Sequence, residues 1–165
     1  MFKTNSIFAF ALFAAVMLPS GAPGQEAEAH YAQYLITTTM AAHPELQKMG
    51  IHVTPPGGRD ELIVACTVPS KIGKKSSPSD LKVEHTGKPS VKTVTEQSFY
   101  DLAFPLSDSK GQPIGMIVME MRFSGAASAD DSITKAQAIT NGIERQIASR
   151  DALFGPAPSN AHHTP

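Results

Sequence analysis

The sequence predicts an α+β domain in which helices pack against one antiparallel sheet. Three observations lead to this prediction. A helix-like segment stands near the N-terminus, several short segments with the apolar pattern of strands follow it, and an amphipathic helix pattern comes last. Helices at both ends of a run of strands joined by turns are typical of antiparallel α+β folds.

The chain of 165 residues begins with the layout of a secretory signal peptide. Lys3 supplies a positive start, and the mostly apolar run from Ile7 to Leu18 is shorter than the ~20 residues of a membrane span. We assign residues 1–26 to the signal peptide, with cleavage open between residues 22 and 29; an uncleaved anchor is the alternative. Both place the domain outside the cytoplasm, periplasmic or secreted, and cleavage leaves no stable membrane span. The formal net charge of -1 gives no footprint for nucleic acid.

Residues 27–153 are expected to form a single domain, followed by a disordered tail over residues 154–165. The first element, Ala27 to Lys48, is predicted to be helical because its apolar residues recur near helical spacing. Pro44 breaks or restarts it, so the segment is one helix or two short ones.

A continuous apolar run from Leu62 to Val68 predicts a strand that is covered on both faces. It contains Cys66, the single cysteine of the chain. The apolar setting favours a buried, inert core thiol, and a reactive thiol or a metal ligand is the alternative.

The rest of the chain alternates loops with elements that have clear local signals. A long polar stretch follows the Leu62 to Val68 strand and carries one short helix that begins near Asp80. Three further strands and a helix with an N-terminal capping pattern, Ser128-x-x-Asp131, complete the prediction. Their ranges are Ser90–Thr95, Phe99–Leu106, Ile114–Phe123 and Ser128–Arg150.

Three motifs resemble those of single Cache-type, PAS-like extracytoplasmic sensor domains: Ile72-Gly73 after the first core strand, Asp80 in a polar loop, and the D-x-x-G-x-x-I-G hairpin from Asp108 to Gly115. The resemblance implies a five-stranded antiparallel sheet flanked by a long N-terminal helix and a C-terminal helix, with a pocket closed by the long loop. It also implies small carboxylates, amino acids or other metabolites as ligands. Such domains normally precede a membrane span and an output domain, neither of which follows here, so a free-standing version is expected.

Six residues are candidates for ligand binding. Lys71, Lys74 and Ser77 offer ammonium and hydroxyl donors suited to a carboxylate or phosphate, and the resemblance adds Asp80. Tyr100 and Phe104 share one face of a strand and could form the apolar wall of a pocket. The alternatives are a solvated loop for the first group and ordinary core packing for the aromatic pair.

The expected function is extracytoplasmic binding or sensing of a small molecule without an output domain of its own. No signature of an enzyme is present, and no cofactor is expected. One alternative is a ligand-free module that forms a homodimer or docks on a partner receptor, since Cache-like domains often pair through the N-terminal helix. A second is a haem- or metal-handling protein, although His43 and His52 lack metal-site spacing.

Overall fold

A computed structural model describes residues 29–158; the predicted signal peptide, residues 1–26, and residues 159–165 of the predicted tail lie outside this range. The helices and strands, in chain order, are α1 (His30–Ala42), β1 (Leu46–Val53), β2 (Leu62–Cys66), α2 (Pro78–Thr86), β3 (Ser90–Val94), β4 (Phe99–Ser107), β5 (Pro113–Arg122) and α3 (Ala129–Glu144).

The five strands form one antiparallel sheet in the order β2-β1-β5-β4-β3, which confirms the predicted α+β class. One face of the sheet packs against α1 and α3 and forms the hydrophobic core. Ile51, Ile117 and Phe104 lie side by side on this face and are fully buried. The opposite face is contacted by α2. The two faces therefore have different environments, and alternate residues of each strand belong to one or the other.

The predicted helix from Ala27 to Lys48 is wrong over its last residues. Helix α1 ends at Ala42, before Pro44, and Leu46–Val53 forms β1. This strand lies inside the sheet and pairs with both β2 and β5. Its hydrogen-bonding partners on β5 are about 70 residues away in sequence, so long-range pairing outweighs the local helical pattern.

The hairpin between β4 and β5 has the predicted turn. The Oδ1 atom of Asp108 accepts hydrogen bonds from the backbone N–H groups of Lys110 at 2.9 Å and Gln112 at 3.0 Å. Gly115, in β5, has a φ of +151°, and a Cβ there would lie 2.2 Å from the carbonyl oxygen of His52. The backbone of β1 therefore approaches Gly115 too closely for any side chain at this position.

Both helices after β2 are capped by serine. Ser77 and Asp80 form a reciprocal capping box at the start of α2, with bonds of 3.2 and 3.1 Å. The Ser128 side chain accepts a hydrogen bond from the backbone N–H of Asp131 at the start of α3, as its sequence pattern predicts. Helix α3 ends at Glu144 rather than at Arg150, and a 3-10 helix (Arg150–Phe154) follows.

The predicted disordered tail begins at Phe154, but Phe154 closes this 3-10 helix and packs against the core. The carbonyl oxygen of Gly155 also accepts a hydrogen bond from the backbone N–H of Tyr31 at 3.1 Å. These contacts join the end of the described chain to the start of α1.

Within residues 29–158, the helices are too short or too polar to cross a membrane.

Candidate functional site

A cavity of about 330 Å³ lies between helix α2 and the face of the sheet opposite the core. The sheet forms its floor, α2 and its N-terminal loop form its roof, and Lys71 lies on its wall. Cavities of this size hold small metabolites rather than large cofactors.

Small side chains create the space above the floor. Cys66, Gly50, Val118 and Ala103 are successive neighbours across β2, β1, β5 and β4, and all four line the cavity. Ser90 on β3 continues the row. The face of the sheet opposite the core therefore carries a row of small side chains here, and this row leaves space beneath α2.

A charged row lies beside this row of small side chains. Lys48, Glu120, Asp101 and Lys92 follow one another across β1, β5, β4 and β3. The Lys48 ammonium pairs with the Glu120 carboxylate. Burial disfavours the charge of Lys48, but the hydrogen bond and the charge of Glu120 outweigh it and raise the pKa of Lys48.

Three charged side chains that line the cavity, Lys71, Lys92 and Asp101, form no ion pair within residues 29–158. Asp101 is half-buried, and its burial, together with the nearby Glu120 carboxylate, raises its pKa. The pKa of Lys71 is lowered. The close approach and the charge of Lys48 are the main causes, and partial burial adds to the effect. The cavity thus presents two cations and one anion that form no ion pair.

A buried hydrogen-bond network extends from His52, at the cavity, through Ser76 to Glu61. The Nδ1 atom of His52 lies 3.0 Å from the hydroxyl of Ser76, and this hydroxyl donates to Oε1 of Glu61 at 2.8 Å. Asp80 is also near, with its Oδ2 atom 3.9 Å from Nδ1. Burial lowers the pKa of His52, and the ammonium groups of Lys71 and Lys48 act in the same direction, against Asp80.

Glu61 is the buried end of this hydrogen-bond network. Its side chain is almost fully buried, and its Oε2 atom has no hydrogen-bond partner among the described residues. Burial and the neighbouring carboxyl of Glu84, on α2, raise the pKa of Glu61 to about 8. A carboxyl that stays protonated at neutral pH carries no charge, so Glu61 can be buried beside the Glu84 carboxyl without the repulsion between two carboxylates.

The structure brings three of the six predicted site residues together. Lys71, Ser77 and Asp80 line the cavity. Lys74 does not; its side chain is exposed, and its backbone carbonyl accepts a hydrogen bond from Ile63 on β2.

Tyr100 and Phe104 lie on the opposite face of the sheet, in the core against α1 and α3. Their rings therefore cannot be walls of the cavity beneath α2. The core packing that the sequence left as the alternative describes them.

The sequence did not indicate His52, Lys48, Gly50 or Asp101 as residues of a small-molecule site, and His52 was considered only for a haem or metal site. The first three belong to β1, most of whose length had no strand signal. For Asp101 the usable signal was its position: it faces away from Tyr100 on β4, and the side chains on that face are mixed in polarity.

A second cavity, of about 310 Å³, opens at the edge of β2 beside the start of α1. Its walls are largely apolar and include Leu62, Val64, Ile72 and Phe154. It holds no charged carboxylate or ammonium group, so the cavity beneath α2 is the better candidate for specific recognition. Residues 29–158 contain no cluster of three or more His, Cys, Asp or Glu side chains arranged to hold a metal ion.

No protein-family model matches the chain, and no curated protein is significantly similar to it. Solved structures resemble it at low identity. The inducer-binding domain of the PobR transcription factor from Acinetobacter, in complex with 3-hydroxybenzoic acid, has 10% identity and a TM-score of 0.44, over 72% of this chain and 95% of that chain.

Two further structures give similar values. A GAF sensor protein from Burkholderia vietnamiensis has 13% identity and a TM-score of 0.44, over 82% of this chain and 97% of that chain. A type II free methionine-R-sulfoxide reductase from Thermoplasma acidophilum has 12% identity and a TM-score of 0.44, over 74% and 95%. These three structures are of a ligand-binding domain, a sensor protein and an enzyme. The function of this chain is inferred from its own side chains.

Proposed function

We propose that this chain is a small-molecule-binding or sensing domain of the PAS/Cache-like kind, that it acts outside the cytoplasm, and that its ligand is a small carboxylate held beneath α2. The proposed role is binding without catalysis. The observation that carries the proposal is a cavity of about 330 Å³ lined by two half-buried charged side chains, Lys71 and Asp101, that form no ion pair.

The charge arrangement supports a ligand with two polar ends. Lys48 and Lys71 crowd each other, and a ligand carboxylate between or beside them would relieve their repulsion. Asp101 could accept a hydrogen bond from an ammonium or hydroxyl group at the other end of the ligand. The small residues Gly50 and Ala103 leave room for the ligand's carbon skeleton on the floor.

The test is a thermal-shift screen of the purified protein against monocarboxylates, dicarboxylates and amino acids, followed by calorimetry with the best compound. We expect at least one carboxylate to raise the melting temperature, because a ligand that binds only the folded state stabilises it. Lys71→Ala should weaken the affinity by roughly ten- to a hundredfold, the cost of one charge-assisted hydrogen bond.

Lys74→Ala is the matched control, because Lys74 belongs to the same loop but does not line the cavity. It should bind like the wild type. Equal affinities for Lys71→Ala and Lys74→Ala would refute the proposed placement of the ligand. If no compound of these three classes shifts the melting temperature and the protein dimerises with concentration, the alternative of a ligand-free interaction module is favoured.

A further inference from the structure

Cys66 and His52 meet above the same glycine on the floor of the cavity. Cys66 lies directly opposite Gly50 in the pairing of β2 with β1, and His52 follows Gly50 by two residues on the same face. A Cβ at Gly50 would lie 3.4 Å from Nε2 of His52 and 3.6 Å from Sγ of Cys66. The thiol and the imidazole therefore both lie within van der Waals distance of the same point above Gly50.

The hydrogen bonds of His52 fix which nitrogen can act as a base. The Ser76 hydroxyl uses its proton on Glu61, so it can only accept a hydrogen bond from Nδ1 of His52. The proton of the neutral ring therefore resides on Nδ1, and the lone pair resides on Nε2. Among residues 29–158, Nε2 has no hydrogen-bond partner, although His52 is only 5% exposed. A buried ring held in this tautomer aims an unused proton acceptor into the cavity.

A hydrogen-bond donor and a cationic side chain lie on the same side of the cavity as the sulfur. The backbone N–H of Val68 donates to Sγ of Cys66 at 3.4 Å, and Lys71 lines the cavity together with Cys66. Cysteines beside cationic groups and hydrogen-bond donors are the reactive ones, whereas those in wholly apolar surroundings are inert.

We propose that Cys66 is a nucleophilic thiol, that His52 is its base, and that the site is covalently modified by small carbon electrophiles that bear a carboxylate. In the reaction the thiol proton passes to Nε2 of His52, the sulfur electron pair forms a carbon–sulfur bond, and the leaving group departs with the electrons of its bond to that carbon. Lys71 would attract the carboxylate and place the electrophilic carbon near Sγ. The proposal does not depend on the binding of a metabolite.

Iodoacetate, which is anionic, and iodoacetamide, which is neutral, are suitable probes, with iodide as the leaving group. Because Cys66 is the only cysteine, mass spectrometry of the intact protein follows this thiol alone, and Cys66→Ser is the blank. At about pH 7 we expect iodoacetate to modify the folded protein roughly tenfold faster than the urea-unfolded chain. We also expect the rate ratio of iodoacetate to iodoacetamide to be higher in the folded protein, and Lys71→Ala to lower it.

His52→Gln should slow the reaction roughly tenfold and change the shape of its pH profile, because the glutamine amide cannot accept the thiol proton. His85→Gln, on the exposed side of α2, is the matched control and should change neither. Ser76→Ala keeps the imidazole but removes the hydroxyl that holds the ring proton on Nδ1, so it gives a second test if His52→Gln folds poorly. Circular dichroism checks the fold of each variant. A folded protein that reacts more slowly than the unfolded chain with both reagents would overturn the proposal. So would a reaction rate and a pH profile of Ser76→Ala that equal those of His85→Gln.

Discussion

Replacing Glu61 with glutamine should make the protein more stable at alkaline pH. Glu61 is nearly fully buried, its Oε2 atom has no partner in residues 29–158, and its pKa is raised to about 8. Burial is the largest cause, and the neighbouring Glu84 carboxyl adds to it. The structure therefore favours a neutral side chain at this position, and the amide of glutamine is neutral at every pH.

The sign of the effect follows from the proton balance. The folded protein holds a proton on Glu61 that the unfolded chain releases above its ordinary pKa of 4.5. Between about pH 4.5 and 8 the folded state binds more protons, so the free energy of unfolding falls as pH rises. Below this pH window Glu61 does not make the free energy of unfolding depend on pH, and above it the decrease in that free energy is complete.

The magnitude can be worked out for a range in which His52 does not interfere. Burial lowers the pKa of His52, so its own contribution to the pH dependence lies below about pH 6.5. Between about pH 6.5 and 9, a carboxyl with a folded pKa of about 8 lowers the free energy of unfolding by roughly 2 kcal/mol. Glu61→Gln should abolish that decrease.

Urea denaturation at several pH values in this range measures the effect directly. Glu96→Gln is the matched control, because Glu96 is exposed, and it should keep the wild-type slope. Glu84→Gln should reduce the slope in part, since it removes one of the two main causes of the raised pKa. If wild type and Glu61→Gln lose stability in parallel between about pH 6.5 and 9, Glu61 is ionised in the folded protein and the reasoning fails.

Three further predictions concern the framework of the site and can be checked by chemical denaturation. Gly115→Ala should cost about 2–4 kcal/mol, because its Cβ would collide with the carbonyl oxygen of His52, whereas Gly111→Ala, at a φ of +78° with open space around it, should cost only about 1 kcal/mol. Asp108→Ala should cost about 1–2 kcal/mol through two lost hydrogen bonds in the hairpin. Tyr100→Phe should change stability by less than about 0.5 kcal/mol and leave the affinity for any ligand beneath α2 unchanged, since this ring lies in the core.

The elements that could be predicted from the sequence are those with local causes. The turn at Asp108 and Gly111 has its signal within five residues, and the cap at Ser128 needs only Asp131. Strand β1 has no such signal. It takes its hydrogen bonds from β2 and β5, and the residues that specify it, such as Met119 opposite Met49, are far away in sequence. Because strand β1 was not predicted, His52 and Lys48, which this strand carries, could not be placed in the candidate site from the sequence.

The site itself was predicted in part. The aromatic residues predicted to line it and the residues of β4 that do line it lie on opposite faces of this strand. Alternation along this strand shows that Tyr100 and Phe104 share a face, but it does not show whether that face meets the core or a ligand. A fully apolar row is most stable where helices α1 and α3 exclude water, so the aromatic residues pack there. A cavity that recognises a polar molecule needs charges and small residues instead. Asp101 and Ala103, on the other face of the same strand, have those properties, and they line the cavity.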